Sequence, residues 1–199
     1  MAGHLYLTAN VPKKEGSSCS GWPLSSSWAQ RHQFCNKYEG YGDLCNCHNP
    51  VSISRPQTLN IFENIKNVPT IIVASKRALC LYRCLKQLIA TEGSNPQNTL
   101  VVADGPTQEL RDLVALFKLK FSGHDSGAAN VTLRITRHYK FVFDSAFTFF
   151  PETDMVIILE EDLEVAPDFY RYFSQTAPLL RSDPTLYCVS AWNDYSQRH

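Results

Sequence analysis

The chain has 199 residues, 44% of them hydrophobic and 12% aromatic, with 19 basic side chains balanced by 19 acidic ones. This composition suits one domain of ordinary size, with a real core and some chain to spare, and the zero net charge without a basic cluster argues against a nucleic-acid surface. No apolar stretch approaches the roughly 20 residues of a membrane span, and roughly the first 25 residues lack a signal peptide's charged start and apolar centre, so the chain reads as soluble, with any targeting segment lying elsewhere.

Residues 1–34 are rich in Ser, Gly, Lys and Pro without periodicity and are expected to be an irregular lead-in. Residues 35–68 form a Cys-, Gly- and Asn-rich connector with little regular structure expected. Four of the seven cysteines, Cys19, Cys35, Cys45 and Cys47, precede position 50. Such density suits disulfides in an oxidising compartment; a zinc site using His48 is the rival, although Cys45-x-Cys47 is not the usual paired-thiolate spacing. Seven is odd, so at least one thiol is free or pairs outside the chain. Asn130-Val131-Thr132 is a glycosylation sequon, compatible with a secretory setting.

The texture changes at Pro69. Thr70–Ala74 (TIIVA) reads as a strand, and Leu81, Leu85, Leu88 and Ile89 then recur at helical spacing until Gly93. Thr99–Ala103 (TLVVA) is a second strand ending on Asp104-Gly105-Pro106, followed by a helix with Leu110, Leu113, Val114 and Phe117 on one face. Asn130–Ile135 alternates like a strand, and Tyr139–Phe150 reads as an aromatic helix closed by Pro151. Met155–Leu159 is an apolar run long enough for a buried strand, and a helix opens at Pro167-Asp168-Phe169. Tyr187–Ala191 (YCVSA) is expected as the last strand. Strand and helix thus alternate about four times, which predicts an α/β fold with a mostly parallel sheet. The first strand is followed by Ala74-Ser75-Lys76-Arg77 rather than Gly-x-Gly-x-x-Gly, and the Walker and Gly-x-Ser-x-Gly patterns are also absent.

The most telling stretch is Met155–Asp168 (MVIILEEDLEVAPD), where an apolar run stops on Glu160, Glu161 and Asp162. Clustered carboxylates repel one another and persist most easily when a cation or hydrogen-bonded ligand compensates. Oxygen-only donors point to Mg²⁺ or Mn²⁺, often shared with a substrate phosphate; an acidic loop capping the next helix is the plain alternative. Arg77, Asp104 and His138 fall at strand ends or helix starts on the same expected edge as the three acids. Singly, each has an ordinary reading: a solvated helix-start arginine, a turn, a hydrogen-bonded core histidine. Together they supply an acceptor for a base or ribose, donors for phosphate and a metal carboxylate, which is what a nucleotide diphosphate-sugar requires.

Pro69–Arg77, Val101–Gly105, Arg137-His138-Tyr139-Lys140, Leu159–Phe169 (LEEDLEVAPDF) and Leu186–Asp194 (LYCVSAWND) resemble the N-acetylglucosaminyltransferase I family. Glu-Glu-Asp at the acidic motif, with the connector words Phe34-Cys35-Asn36-Lys37, Glu39-Gly40-Tyr41-Gly42 and Cys45-x-Cys47, resembles its branch acting on O-linked mannose. The resemblance covers roughly residues 34–195. It implies a GT-A type, Rossmann-like fold over residues 69–199, with Mn²⁺, UDP-N-acetylglucosamine and a mannose-bearing glycoprotein acceptor in the Golgi lumen, the membrane anchor lying outside this chain. It implies Asp162 as the direct metal ligand, Glu160 and Glu161 on the sugar and ribose side, Asp104 at the uracil or ribose end, and Arg77 and His138 on the nucleotide and its phosphates. The family's catalytic base, near a Trp-Asp-Asp motif, is expected beyond His199, so the chain is expected to be a truncated catalytic domain holding the donor half of the site. A catalytically silent secretory protein that binds a sugar-nucleotide or glycan is the alternative, with a metal-dependent phosphotransferase a weaker third reading.

Overall fold

The computed structural model describes residues 22, 25–54, 62–127 and 130–191. Their elements in chain order are α1 (Ser26–Lys37), β1 (Thr70–Ala74), α2 (Ala78–Ala90), β2 (Thr99–Asp104), α3 (Gln108–Leu116), β3 (Lys120–His124), α4 (Val131–Phe149), β4 (Ile157–Glu160) and α5 (Phe169–Ser182). The four strands form one sheet in the order β3-β2-β1-β4, with every pair parallel. TIIVA and TLVVA are buried throughout because β1 and β2 occupy the centre and are covered on both faces, which is why four of the five residues in each are apolar. Ile72, Ala74, Val101, Ala103, Ile157 and Leu159 point into the larger core shared with α2, α3 and α5, whereas Ile71, Val73, Leu100 and Val102 pack with Val142 and Ala146 of α4. The result is an α/β layered fold of the expected Rossmann-like, GT-A type.

Register carries all four carboxyl ends to one edge: Ala74 pairs with Ala103, Val73 with Glu160, and Asp104 with His124. From β1 the chain winds outward through β2 to β3, then returns to place β4 on the other side of β1. The crevice between the ends of β1 and β4 is therefore a topological switch point, the position where open α/β sheets bind ligands. Gly105, at φ 64°, turns the chain immediately after β2.

Three expectations need correction. Asn130–Ile135 is not a strand but the start of α4: the Asn130 side chain accepts from the Leu133 N–H as an N-cap, and the alternating Val131, Leu133 and Ile135 are exposed rather than turned to a core. Tyr187–Ala191 does not join the sheet, leaving β4 as the outer strand among the described residues; Tyr187 is 94% exposed, and the Ser190 carbonyl accepts from the Tyr172 hydroxyl. Residues 26–34, expected to be irregular, belong to α1, held where Arg31 donates to the carbonyls of Leu44 and Val51. In turn β3, whose sequence KFSGH carries no clear strand pattern, completes the other side of the sheet.

The connector is fastened to the α3 side. Cys35 and Cys45 form a disulfide and Cys47 is also disulfide-bonded, which removes the thiolates a zinc site would need. Tyr38 and Tyr41 donate to Asp112 and Glu109 of α3, and Tyr82 of α2 donates to Asp43. Cys80, Cys84 and Cys188 are free thiols. Cys19 and most of the SAWND segment lie outside the described residues. No helix among the described residues is long and apolar enough to cross a membrane.

Candidate functional site

At the β1–β4 crevice the three acids behave differently although they are consecutive. Glu161 continues the ladder, its N–H donating to the Val73 carbonyl, and its side chain is only 2% exposed. Both carboxylate oxygens are engaged: Oε2 accepts from the Ser75 N–H at 2.9 Å, while Oε1 accepts from Ser75 Oγ at 2.7 Å and Arg77 Nε at 2.8 Å. A buried carboxylate requires such partners, and the Ser75-Lys76-Arg77 turn after β1 supplies them. Arg77 also donates from Nη2 to Asp162 Oδ2 at 2.9 Å. Its two acids, Glu161 first, raise the guanidinium further above its usual range. Glu160 and Asp162 remain at the surface, with Glu160 Oε1 accepting from the Tyr139 hydroxyl at 2.7 Å. Cys84 lies beneath this turn, and burial, with Glu161 and Asp162 nearby, pushes its thiol up to about 12; it is a packed side chain rather than a nucleophile.

A second cluster occupies the ends of β2 and β3. Asp104 accepts from the Ser126 N–H and Oγ at 2.9 and 2.8 Å, with Arg134 Nε 3.7 Å away. Burial opposes ionisation of Asp104, but the two Ser126 hydrogen bonds and the neighbouring His124 outweigh it, so its carboxyl lies below the usual range. His138 on α4 is buried; its Nδ1 lies 2.8 Å from His124 Nε2, and the Ala74 backbone at the end of β1 also hydrogen-bonds the ring. Burial lowers the His138 pKa, and His124 lowers it further. The His124 ring stacks on Phe141 with centroids 4.1 Å apart and lies beside the His138 ring at 5.1 Å, the separation of two hydrogen-bonded imidazoles.

All six residues singled out in the sequence therefore lie along the carboxyl edge, in two groups. Arg77, Glu161 and Asp162 are joined directly, and Asp104 and His138 meet through His124 and Ser126. Helix α4 bridges the groups with consecutive side chains: His138 reaches β3 and Tyr139 reaches β4. The sequence reading missed Ser75, His124, Ser126 and Tyr139. Tyr139 sits inside the word Arg-His-Tyr-Lys, and Ser126 in the turn Asp-Ser-Gly, but nothing in the sequence marks His124 as the partner of His138. Among the described residues no three His, Cys, Asp or Glu side chains converge as a metal cage. Asp162 keeps exposed carboxylate oxygen although its Oδ2 is paired with Arg77, and a hard cation held there would take its remaining ligands from water and a phosphate.

Residues 46–199 match the GNT-I family. The chain belongs to that family. An alpha-1,3-mannosyl-glycoprotein 2-beta-N-acetylglucosaminyltransferase from Arabidopsis thaliana is 30% identical over 140 residues, covering 64% of this chain and 31% of the relative. The chain thus spans about a third of the length of this curated GNT-I relative. The family-matched residues 46–199 contain both clusters of the carboxyl edge.

Proposed function

We propose that this chain is the donor-binding part of an inverting N-acetylglucosaminyltransferase that transfers from UDP-N-acetylglucosamine to a mannose on a glycoprotein in the Golgi lumen. The observation that carries this reading is the pairing of GNT-I membership with a switch-point crevice whose side chains suit a nucleotide diphosphate-sugar. Asp104, held by Ser126, offers carboxylate oxygen to ribose or base hydroxyl and N–H groups. Arg77, held by Glu161, carries fixed positive charge to the diphosphate side, where its spare donors stabilise the departing UDP. Glu160, steadied by Tyr139, faces solvent on the sugar side.

Asp162 would hold Mn²⁺ together with the diphosphate, and the ion would neutralise charge on the leaving group. The chain's own residues orient the donor; the carboxylate that takes the acceptor proton is expected downstream of the SAWND word. Glu160-Glu161-Asp162 and the connector favour O-linked mannose as acceptor, whereas the Arabidopsis relative's name favours an alpha-1,3-mannosyl glycoprotein.

Calorimetric titration of UDP with and without Mn²⁺, repeated on Asp162→Ala, tests this reading. The expected result is Mn²⁺-dependent binding that the substitution weakens at least tenfold while leaving the fold intact. A folded chain that ignores UDP would favour a catalytically silent protein.

A further inference from the structure

We infer that Asn130 carries an N-linked oligosaccharide, borne at the start of α4 beside the carboxyl edge. The inference shares only its secretory setting with the proposed function. Asn130-Val131-Thr132 is the chain's one Asn-x-Ser/Thr word, and its middle residue is not proline. Such a word arises often by chance, so its placement decides. Residues 130–137 are exposed without a break, whereas a helix lying on a sheet buries a side chain about every turn. Helix α4 starts to pack only at His138. Val131, Leu133 and Ile135, at 62%, 45% and 51% exposed, present apolar surface on which the C–H face of a first sugar ring can lie.

The Asn130 carboxamide is divided between two tasks. Its Oδ1 accepts from the Leu133 N–H at 3.2 Å as the N-cap, while Nδ2 has no hydrogen-bond partner among the described residues. Attack of Nδ2 on the anomeric carbon of a polyprenyl diphosphate-linked oligosaccharide forms the new C–N bond. The bond from that carbon to the diphosphate breaks, one Nδ2 proton is released, and the lipid diphosphate leaves. Nδ2 keeps its other hydrogen and Oδ1 is untouched, so the cap survives the modification. The Cys35–Cys45 disulfide, with Cys47 also disulfide-bonded, suits the oxidising compartment in which such transfer occurs. One turn into α4, Arg134 Nε lies 3.7 Å from Asp104, and Arg137 donates to the Ser126 carbonyl. The oligosaccharide therefore stands at the rim of the β2–β3 cluster.

To test this, the whole chain is expressed behind a cleavable secretory signal in eukaryotic cells, beside Thr132→Ala and Asn130→Asp. Both variants destroy the acceptor word but keep a capping oxygen at position 130, so loss of the cap does not confuse the reading. Lumenal chain is scored whether exported or retained. Peptide N-glycosidase in heavy-oxygen water removes an N-linked oligosaccharide and leaves an isotope-labelled aspartate. The unmodified chain should fall in mass on this treatment and gain the label at position 130, and both variants should already have the mass of the treated chain. Chain whose Cys35–Cys45 disulfide has formed but whose position 130 is bare would overturn the inference. So would a glycosidase-sensitive mass that persists in Thr132→Ala. Titration of UDP into the glycosylated chain reads the donor site separately: failure to bind would overturn the nucleotide reading and leave Asn130 as assigned.

Discussion

The two ends of the carboxyl edge handle charge in opposite ways. At the β1–β4 crevice an acid, Glu161, is buried and compensated by a permanent cation and the Ser75 donors, so its charge belongs to the architecture. At the β2–β3 end a carboxylate is held by neutral serine donors beside two imidazoles that share one hydrogen. The first end closes its charge in a network of hydrogen bonds; the second sets a carboxyl lowered by its Ser126 bonds beside a histidine whose charged form burial opposes. A run of three acids is therefore not three equivalent ligands. The central one builds the turn that presents Arg77, and its neighbours are left for solvent or a ligand.

The sharpest way to break this contrast is Glu161→Ala. Removing the carboxylate orphans the Ser75 and Arg77 donors, and because Arg77 is half exposed the cost should be about 2–3 kcal/mol rather than the full price of a buried pair. Urea denaturation measures it. An effect below about 0.5 kcal/mol, the size expected of an ordinary surface substitution, would mean that Glu161 is not structural. Ser126→Ala should cost less, about 1 kcal/mol, for the hydroxyl bond to Asp104. The lowered Asp104 carboxyl adds a sign: its stabilisation is complete above the unfolded value near pH 4 and is lost as pH falls through the folded value. Ser126→Ala should therefore flatten the acid limb of the stability profile.

The pH contrast itself is read at His138. Its folded pKa lies below the unfolded value near 6.5, because burial and then His124 oppose the charged ring. Stability from neutral His138 is thus fully present above about pH 6.5 and declines as pH drops through the folded value. His138→Gln should remove that decline with little effect at pH 7.5, as urea midpoints at pH 7.5 and pH 5 would show. An unchanged slope would place the titration elsewhere.

Much of this arrangement was legible because it is written in period and punctuation. β1 and β2 are mostly apolar, as strands covered on both faces must be, and Asp104-Gly105 and Glu160-Glu161-Asp162 mark where two strands stop. What sequence could not show is pairing across the edge. Val131, Leu133 and Ile135 alternate like a strand, but the Asn130 cap starts a helix whose exposed side they occupy. KFSGH shows no period because its side chains are only partly covered at the sheet's margin. His124 and His138 are separated by a turn and a helical start, so their bond exists only once β3 and α4 are in place.

The smallest expected effect concerns the link between the two ends. Tyr139 donates to Glu160 near the surface, and burial together with that bond holds its hydroxyl at about 12, so it remains a donor throughout the useful pH range. Solvent competes for exposed Glu160, so Tyr139→Phe should cost no more than about 0.5 kcal/mol of stability. Yet the same change frees Glu160 to swing, while His138, one residue earlier on α4, keeps its contact with His124. If the ends are coupled only through the rigid helix, Tyr139→Phe will leave the His138 tautomer and its pH response unchanged and will alter only contacts on the sugar side. A shift in the His138 nitrogen NMR signals would instead show that the tyrosine–glutamate bond sets the angle of α4, making the β2–β3 end depend on the β1–β4 end.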